Sequence, residues 1–288
     1  MNISDSALFK DYARPILQPV TSQATLGRPP PGIMDSVLQR LVNYAKLDVS
    51  RISISHATEN SFSLSIETSV KGTGPISSTV SPMALDLTFN GFVFGKLVLP
   101  EVRTSFWGTK VTVEEQTVTI TDLTSFRAFV RSIMVDDDTS FQLENGECTI
   151  RALGLKIHCD YSLNIPIPAM RGPWVTLRAV SRSGDNGITA TFRMHNPSPV
   201  ELDHGGVCAF ELRNDQGQCM ADLRGELRIV RDQFDFALRG TTRNGVAPSD
   251  KLRLVGVGVD GSSWCNDTVK HLDAVIVVSP EFGRKLRA

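Results

Sequence analysis

The chain has 288 residues, 41% of them hydrophobic and 21% charged, an ordinary globular balance with length for one or two domains. Thirty Lys and Arg against 31 Asp and Glu leave a net charge of −1, which argues against a generic binder of the phosphate backbone. No apolar run approaches ~18 residues, so no transmembrane helix is read here, and the N-terminus lacks the charged and apolar regions of a signal peptide.

Residues 1–32 are irregular and end in GRPPPG, whose consecutive prolines make a stiff extended connector. Met34, Val37, Leu38, Leu41, Val42 and Ala45 then fall at helical spacing and predict an amphipathic helix over about 34–47. After Val49 the period changes to two. SFSLSIETSV alternates apolar and polar residues, and ALDLTF, FGKLVL, KVTVEE and QTVTITD repeat the pattern at roughly ten-residue spacing, as in a sandwich or barrel. One helix interrupts at about 124–134, with Phe126, Phe129, Val130 and Ile133 on one face and Asp122 or Thr124 as its cap. Strands resume with TSFQLEN, ECTIRAL and LKIHCDYSLNI.

PIPAMRGP, residues 166–173, marks the domain boundary. The expected organisation is an irregular segment 1–32, a first β-sandwich 33–168 and a second 169–288. The second half repeats the plan of the first. An alternating strand ends in a proline breaker (Gly74-Pro75; Asn196-Pro197), a second alternating strand follows, and then a small-residue step (GFVFGKLVLP; GQCMADLRG). This is a weak internal duplication of about 115 residues.

Five cysteines without a CxxC or zinc-like spacing suggest reduced thiols and a soluble, cytoplasmic protein. A two-residue turn at Leu153-Gly154 would put Cys148 opposite Cys159, as two small buried thiols or as a cross-strand disulfide. Asn2 and Asn266 are formal glycosylation sequons, relevant only to a secreted protein. His204-Gly205-Gly206 echoes an esterase oxyanion loop, but no G-x-S-x-G accompanies it. Asn196-Pro197 reads better as a strand end, and Gly205-Gly206 as re-entry into the next strand. Asp136-Asp137-Asp138 reads as a solvated loop rather than a cation site, because successive side chains diverge.

At these residues a resemblance emerges. LDVSRISISHATEN through FGKLVLPEV, followed by VTVEEQTVTITDLTSFRAFVRSIM, closely resembles a large fungal family of uncharacterised proteins related to late-embryogenesis-abundant group 2 (LEA-2) domains, over residues 34–165. ATFRMHNPSPVELDHGGVCAFEL resembles the parent LEA-2 pattern more loosely. The resemblance implies an all-β fold of two tandem Greek-key sandwiches. Most such proteins resemble membrane-anchored chains with a transmembrane helix before the first domain, a pattern from which this chain departs. A free-standing double sandwich is also similar to the fungal hetero-Diels–Alderases of tropolone–sesquiterpenoid biosynthesis.

Nothing in the sequence specifies a covalent nucleophile, a metal or a cofactor. An enzyme of this composition would work by binding and orientation, which suits cycloaddition. The first expectation is therefore a cofactor-independent cyclase joining an apolar alkene to an enone or quinone methide. Arg171 and His204 would be its hydrogen-bond donors, and Phe106, Trp107, Trp174 and Trp264 its walls. The alternative is a non-catalytic LEA-like module that binds lipid, a membrane surface or a partner protein. A cyclase needs a closed apolar cavity; a module has filled sandwich cores and an exposed apolar patch.

Overall fold

The computed structural model describes residues 24–26, 46–71, 77–105, 108–246, 249–261 and 263–278. The described chain is mostly β and its strands form two sheets in a sandwich-like arrangement. Its strands are β1 (Ala24–Leu26), β2 (Lys46–Ser55), β3 (Ser61–Lys71), β4 (Ser78–Val80), β5 (Met83–Phe89), β6 (Phe92–Leu99), β7 (Val102–Thr104) and β8 (Thr109–Thr119). Helix α1 (Leu123–Val135) follows, then β9 (Asp138–Ala152), β10 (Leu155–Pro168), β11 (Trp174–Ser183), β12 (Gly187–Asn196), β13 (Val200–Arg213), β14 (Cys219–Ile229), β15 (Asp232–Thr242) and β16 (Lys251–Val259). The short helix α2 (Cys265–Thr268) runs into a 3-10 turn (Val269–His271) before β17 (Asp273–Val277).

The strands form where the period-two pattern lies. Along β12, Ile188, Ala190, Phe192, Met194 and Asn196 are buried, and every intervening residue is partly exposed. Helix α1 begins where Asp122 Oδ1 accepts from the backbone N–H groups of Thr124 and Ser125, at 2.9 and 3.2 Å. Its buried face carries Phe126, Phe129, Val130 and Ile133, as the spacing predicts. The helix expected over 34–47 lies outside the described residues, except at its last two positions. Lys46 and Leu47 open β2 instead, paired with Lys71 and Val70.

The smaller sheet runs β1-β10-β9-β4-β7, with β5 on β9 and β6 on β5. The larger runs β11-β12-β15-β14-β13-β2-β3-β8, with β16 on β13 and β17 on β16. Strands from both sides of residue 168 thus enter one sheet. The joint is a parallel ladder in which Val200, Glu201 and Leu202 face Ile52, Ser53 and Ile54. Arg51 fastens it, donating from Nε and Nη2 to Glu201 Oε2 at 3.0 and 2.7 Å. A single cluster of buried apolar side chains extends from Ile52 to Val278, so both halves share one core.

Candidate functional site

The stretch 195–214 has a structural explanation for most of its polar residues. Asn196 is fully buried at the end of β12. Its Nδ2 donates to the carbonyls of Val200 and Val230, at 2.9 and 3.2 Å, and its Oδ1 accepts from the Ser198 N–H at 3.0 Å. Ser198 Oγ then accepts from the Val200 N–H at 3.2 Å. These bonds satisfy backbone groups that the proline breaker leaves unpaired, and they aim β13 at β2. Gly205-Gly206, expected as the re-entry into the next strand, instead lie inside β13, which starts at Val200. There the β13–β14 register shifts between Asp203 and Val207, Asp203 Oδ1 accepts from the Gly205 N–H at 2.9 Å, and Gly205 has φ +67, an Asx turn within a bulge.

His204 sits in β13 with only 2% of its surface exposed. Its Nδ1 lies 3.2 Å from the Leu227 carbonyl, which makes Nδ1 the protonated nitrogen, while Nε2 is enclosed with no partner among the described residues. Burial drives the imidazole down to about 4, against the smaller upward pull of the Leu227 carbonyl and the Asp203 carboxylate. His204 is therefore neutral at physiological pH, and its ring is enclosed rather than projecting from a loop.

Arg171 and Gly172 turn the chain between β10 and β11 with φ of +60 and +66. The Arg171 side chain is about half exposed and pairs with Asp137, Nε to Oδ1, at 3.5 Å. Trp174 opens β11, is 55% exposed, and faces His195 with ring centroids 6.3 Å apart. Trp264 is 2% exposed. Its ring meets Phe126 edge-on at 4.9 Å and Phe62 at 6.3 Å, and its Nε1–H donates to the Ser61 carbonyl at 3.1 Å. Phe106 and Trp107 lie outside the described residues. Arg171 and Trp174 thus lie on the surface near the junction of the halves, whereas His204 and Trp264 are core residues.

Two clusters fall outside that set. Glu211, Cys219 and Asp222 hold their ligand atoms within 4.8 Å of one another, close enough for a cation. Both carboxylates are already engaged. Arg243 donates to the two oxygens of Asp222 at 2.8 and 2.7 Å, and Arg213 donates to Glu211 Oε2 at 2.8 and 2.7 Å. The hydrogen bonds from Arg243 hold the Asp222 carboxyl below the usual range. The set is a charge-balanced surface network, unread in the sequence because its members come from two strands and the loop after β15.

The second cluster is the expected pair on the β9–β10 hairpin. Cys148 and Cys159 are directly opposite, both free thiols, with sulfurs 3.2 Å apart. The hydrogen bond between them holds Cys148 well above the ordinary thiol range, reinforced by burial, and holds Cys159 below it. Cys159 therefore ionises first. Burial pushes Cys208 up to about 11 and Cys265 up to about 12, so those thiols are poor nucleophiles. With oxidised glutathione, Cys159 is expected to form a mixed disulfide, from which the Cys148 sulfur displaces reduced glutathione. Closing this hairpin loop would stabilise the fold by about 2–3 kcal/mol. Peptide mapping after alkylation checks this: a Cys148–Cys159 cross-link is the expected product, and two alkylated cysteines would contradict it.

Comparison with known proteins adds one family. Residues 93–209 match the family described as a protein of unknown function (DUF3712). The stretch starts in β6 and ends in β13, so it overlaps the expected 34–165 only in part and crosses the junction of the halves. No curated protein matches the chain. Among solved structures, a transglutaminase from red sea bream is 16% identical, with a TM-score of 0.23, over 80% of this chain and 31% of its own. The exo-chitosanase CsxA of Amycolatopsis orientalis is 9% identical, with a TM-score of 0.25, over 80% and 26%. The CsuC-CsuE chaperone–adhesion subunit complex of Acinetobacter baumannii is 11% identical, with a TM-score of 0.19, over 81% and 97%. This chain therefore spans less than a third of the first two, and TM-scores at this level carry no argument. Among the described residues no helix is long and apolar enough to cross a membrane.

Proposed function

We propose that the chain is a non-catalytic, LEA-2-like binding module rather than a cyclase. The observation that carries this reading is Trp264: the aromatic expected to wall a pocket is packed edge-on against the stacked rings of Phe62 and Phe126, with its N–H committed to Ser61. The two expected donors favour the same reading. His204 is enclosed and bonded to the Leu227 carbonyl, and Arg171 is a surface residue paired with Asp137. Neither is poised to polarise a carbonyl beside an apolar wall.

The module reading includes two tandem Greek-key sandwiches, 33–168 and 169–288, and a repeated pairing pattern supports it. In the first half β2 pairs β3 and β3 pairs β8, while β5 pairs both β6 and β9, and β9 pairs β10. In the second, β11 pairs β12 and β12 pairs β15, while β13 pairs both β14 and β16, and β16 pairs β17; here β14 also pairs β15, a ladder with no counterpart between β6 and β8. A close approach recurs with the pattern. A Cβ on Gly95 of β6 would lie 2.6 Å from Val118 of β8, and one on Gly225 of β14 would lie 2.6 Å from the Ala237 carbonyl of β15.

The test is incubation with a terpene and a tropolone quinone-methide precursor. The expected result is the same rate and product mixture with and without protein. Stereoselective acceleration would overturn the module reading and restore the cyclase.

A further inference from the structure

We infer that the tip of the β9–β10 hairpin is a docking site for an anionic lipid surface, because it joins exposed leucines to an unbalanced row of cations. The inference rests on the module reading and names its ligand class. The turn residues are Leu153 and Gly154, with φ of +52 and +80. A two-residue hairpin turn of this kind favours Asn-Gly, since only glycine and short polar residues enter the left-handed region easily. Leucine is costly here on two counts: its backbone is strained, and 72% of its surface is exposed. Leu155 beside it is 41% exposed.

The charges repeat the anomaly. Arg151 and Lys156 are directly opposite each other, a pairing of like charges that weakens a hairpin. The register extends the row: Arg151 faces Thr79 of β4, and Thr79 faces Arg103 of β7. Arg103 has a partner in Glu101, whereas Arg151 and Lys156 have no carboxylate partner among the described residues. Farther from the tip the sign reverses, for Glu147 faces Asp160. The hairpin is thus polarised along its length. An anionic surface attracts the tip and repels the stem, which orients the molecule with its leucines foremost.

Leucines at the leading point favour a bilayer over a nucleic acid. The headgroup–acyl boundary accepts apolar side chains beside cations, and a phosphate backbone has no use for them. With a net charge of −1 the chain as a whole is not drawn to an anionic surface, so the attraction must come from a local patch such as this tip.

The test is co-sedimentation of the full chain with phosphatidylcholine vesicles, with and without about one-third phosphatidylserine. Binding is expected only with phosphatidylserine, and it should fall at about 0.5 M salt. Arg151→Ala combined with Lys156→Ala should weaken it about twenty-fivefold, from about fivefold per cation. Leu153→Asn should weaken it about tenfold, the scale of one leucine's burial, while raising the thermal midpoint because asparagine suits the turn. That opposite response separates a docking residue from a structural one. The inference is overturned by binding to neither vesicle, by equal binding to both, or by variants that bind as the parent does. Tighter binding to duplex DNA that is insensitive to Leu153→Asn would replace the lipid with a nucleic acid. The terpene incubation distinguishes the two readings: no acceleration and no vesicle binding ends this inference alone, and acceleration ends the module reading.

Discussion

Trp264→Ala is expected to destabilise the protein by about 3–5 kcal/mol, the range for emptying a large aromatic site in a packed core. Trp264 joins the halves, since its ring lies against Phe62 and Phe126 and its backbone N–H donates to the Thr58 carbonyl at 3.3 Å. The loss should fall on packing more than on hydrogen bonding. The Ser61 carbonyl that accepts from the indole also accepts from the Thr58 N–H at 3.0 Å, so it keeps a partner when the indole is removed. Trp264→Phe, which keeps most of the ring volume, should therefore cost about 1–2 kcal/mol. Urea denaturation of the three proteins checks both values. An alanine variant of undiminished stability that had lost affinity for apolar small molecules would instead make Trp264 a pocket wall.

Acidification is expected to remove about 2 kcal/mol of stability between pH 7.5 and pH 5 through His204 alone. The folded-state value of about 4 lies below the ordinary 6.5. Between those values the unfolded chain binds a proton that the folded chain refuses, so stability rises with pH. The contribution is fully present above about 6.5, falls as pH drops through the window, and approaches about 3 kcal/mol of loss near pH 4. His271 adds in the same direction, because burial, and then Arg131, lowers its value too. Replacing His204 with glutamine should lower stability at neutral pH and flatten the slope. Urea midpoints of the wild type and His204→Gln at pH 7.5 and pH 5 separate the effect. Equal pH dependence in both would show that His204 is not the titrating group.

Much of the fold was legible locally. Period-two runs located β3, β5 and β12, and helical spacing located α1, whose cap, expected at Asp122 or Thr124, is Asp122. The Leu153-Gly154 turn placed Cys148 opposite Cys159, because a two-residue turn determines hairpin register. The candidate site was read less well. An aromatic after a Gly-Ser-Ser run, or a histidine beside glycine, looks like a loop residue, and Trp264 and His204 have those contexts. Each is nevertheless buried, in a short helix start and in a long strand respectively. The tip of the β9–β10 hairpin was visible as a turn, and its register sets Arg151 opposite Lys156, but Arg103 joins that row only through the ladders of β4 with β9 and β7.

By itself the sequence determined the strand class, the Leu153-Gly154 hairpin turn and the position of helix α1. These follow from alternation, turn chemistry and capping, which act over a few residues. Only the tertiary structure decided that Val200–Leu202 lies beside Ile52–Ile54, that Trp264 closes the core between the halves, and that His204 is enclosed. Periodicity states that one face of a strand is covered, but what covers it is a long-range contact that no local pattern encodes.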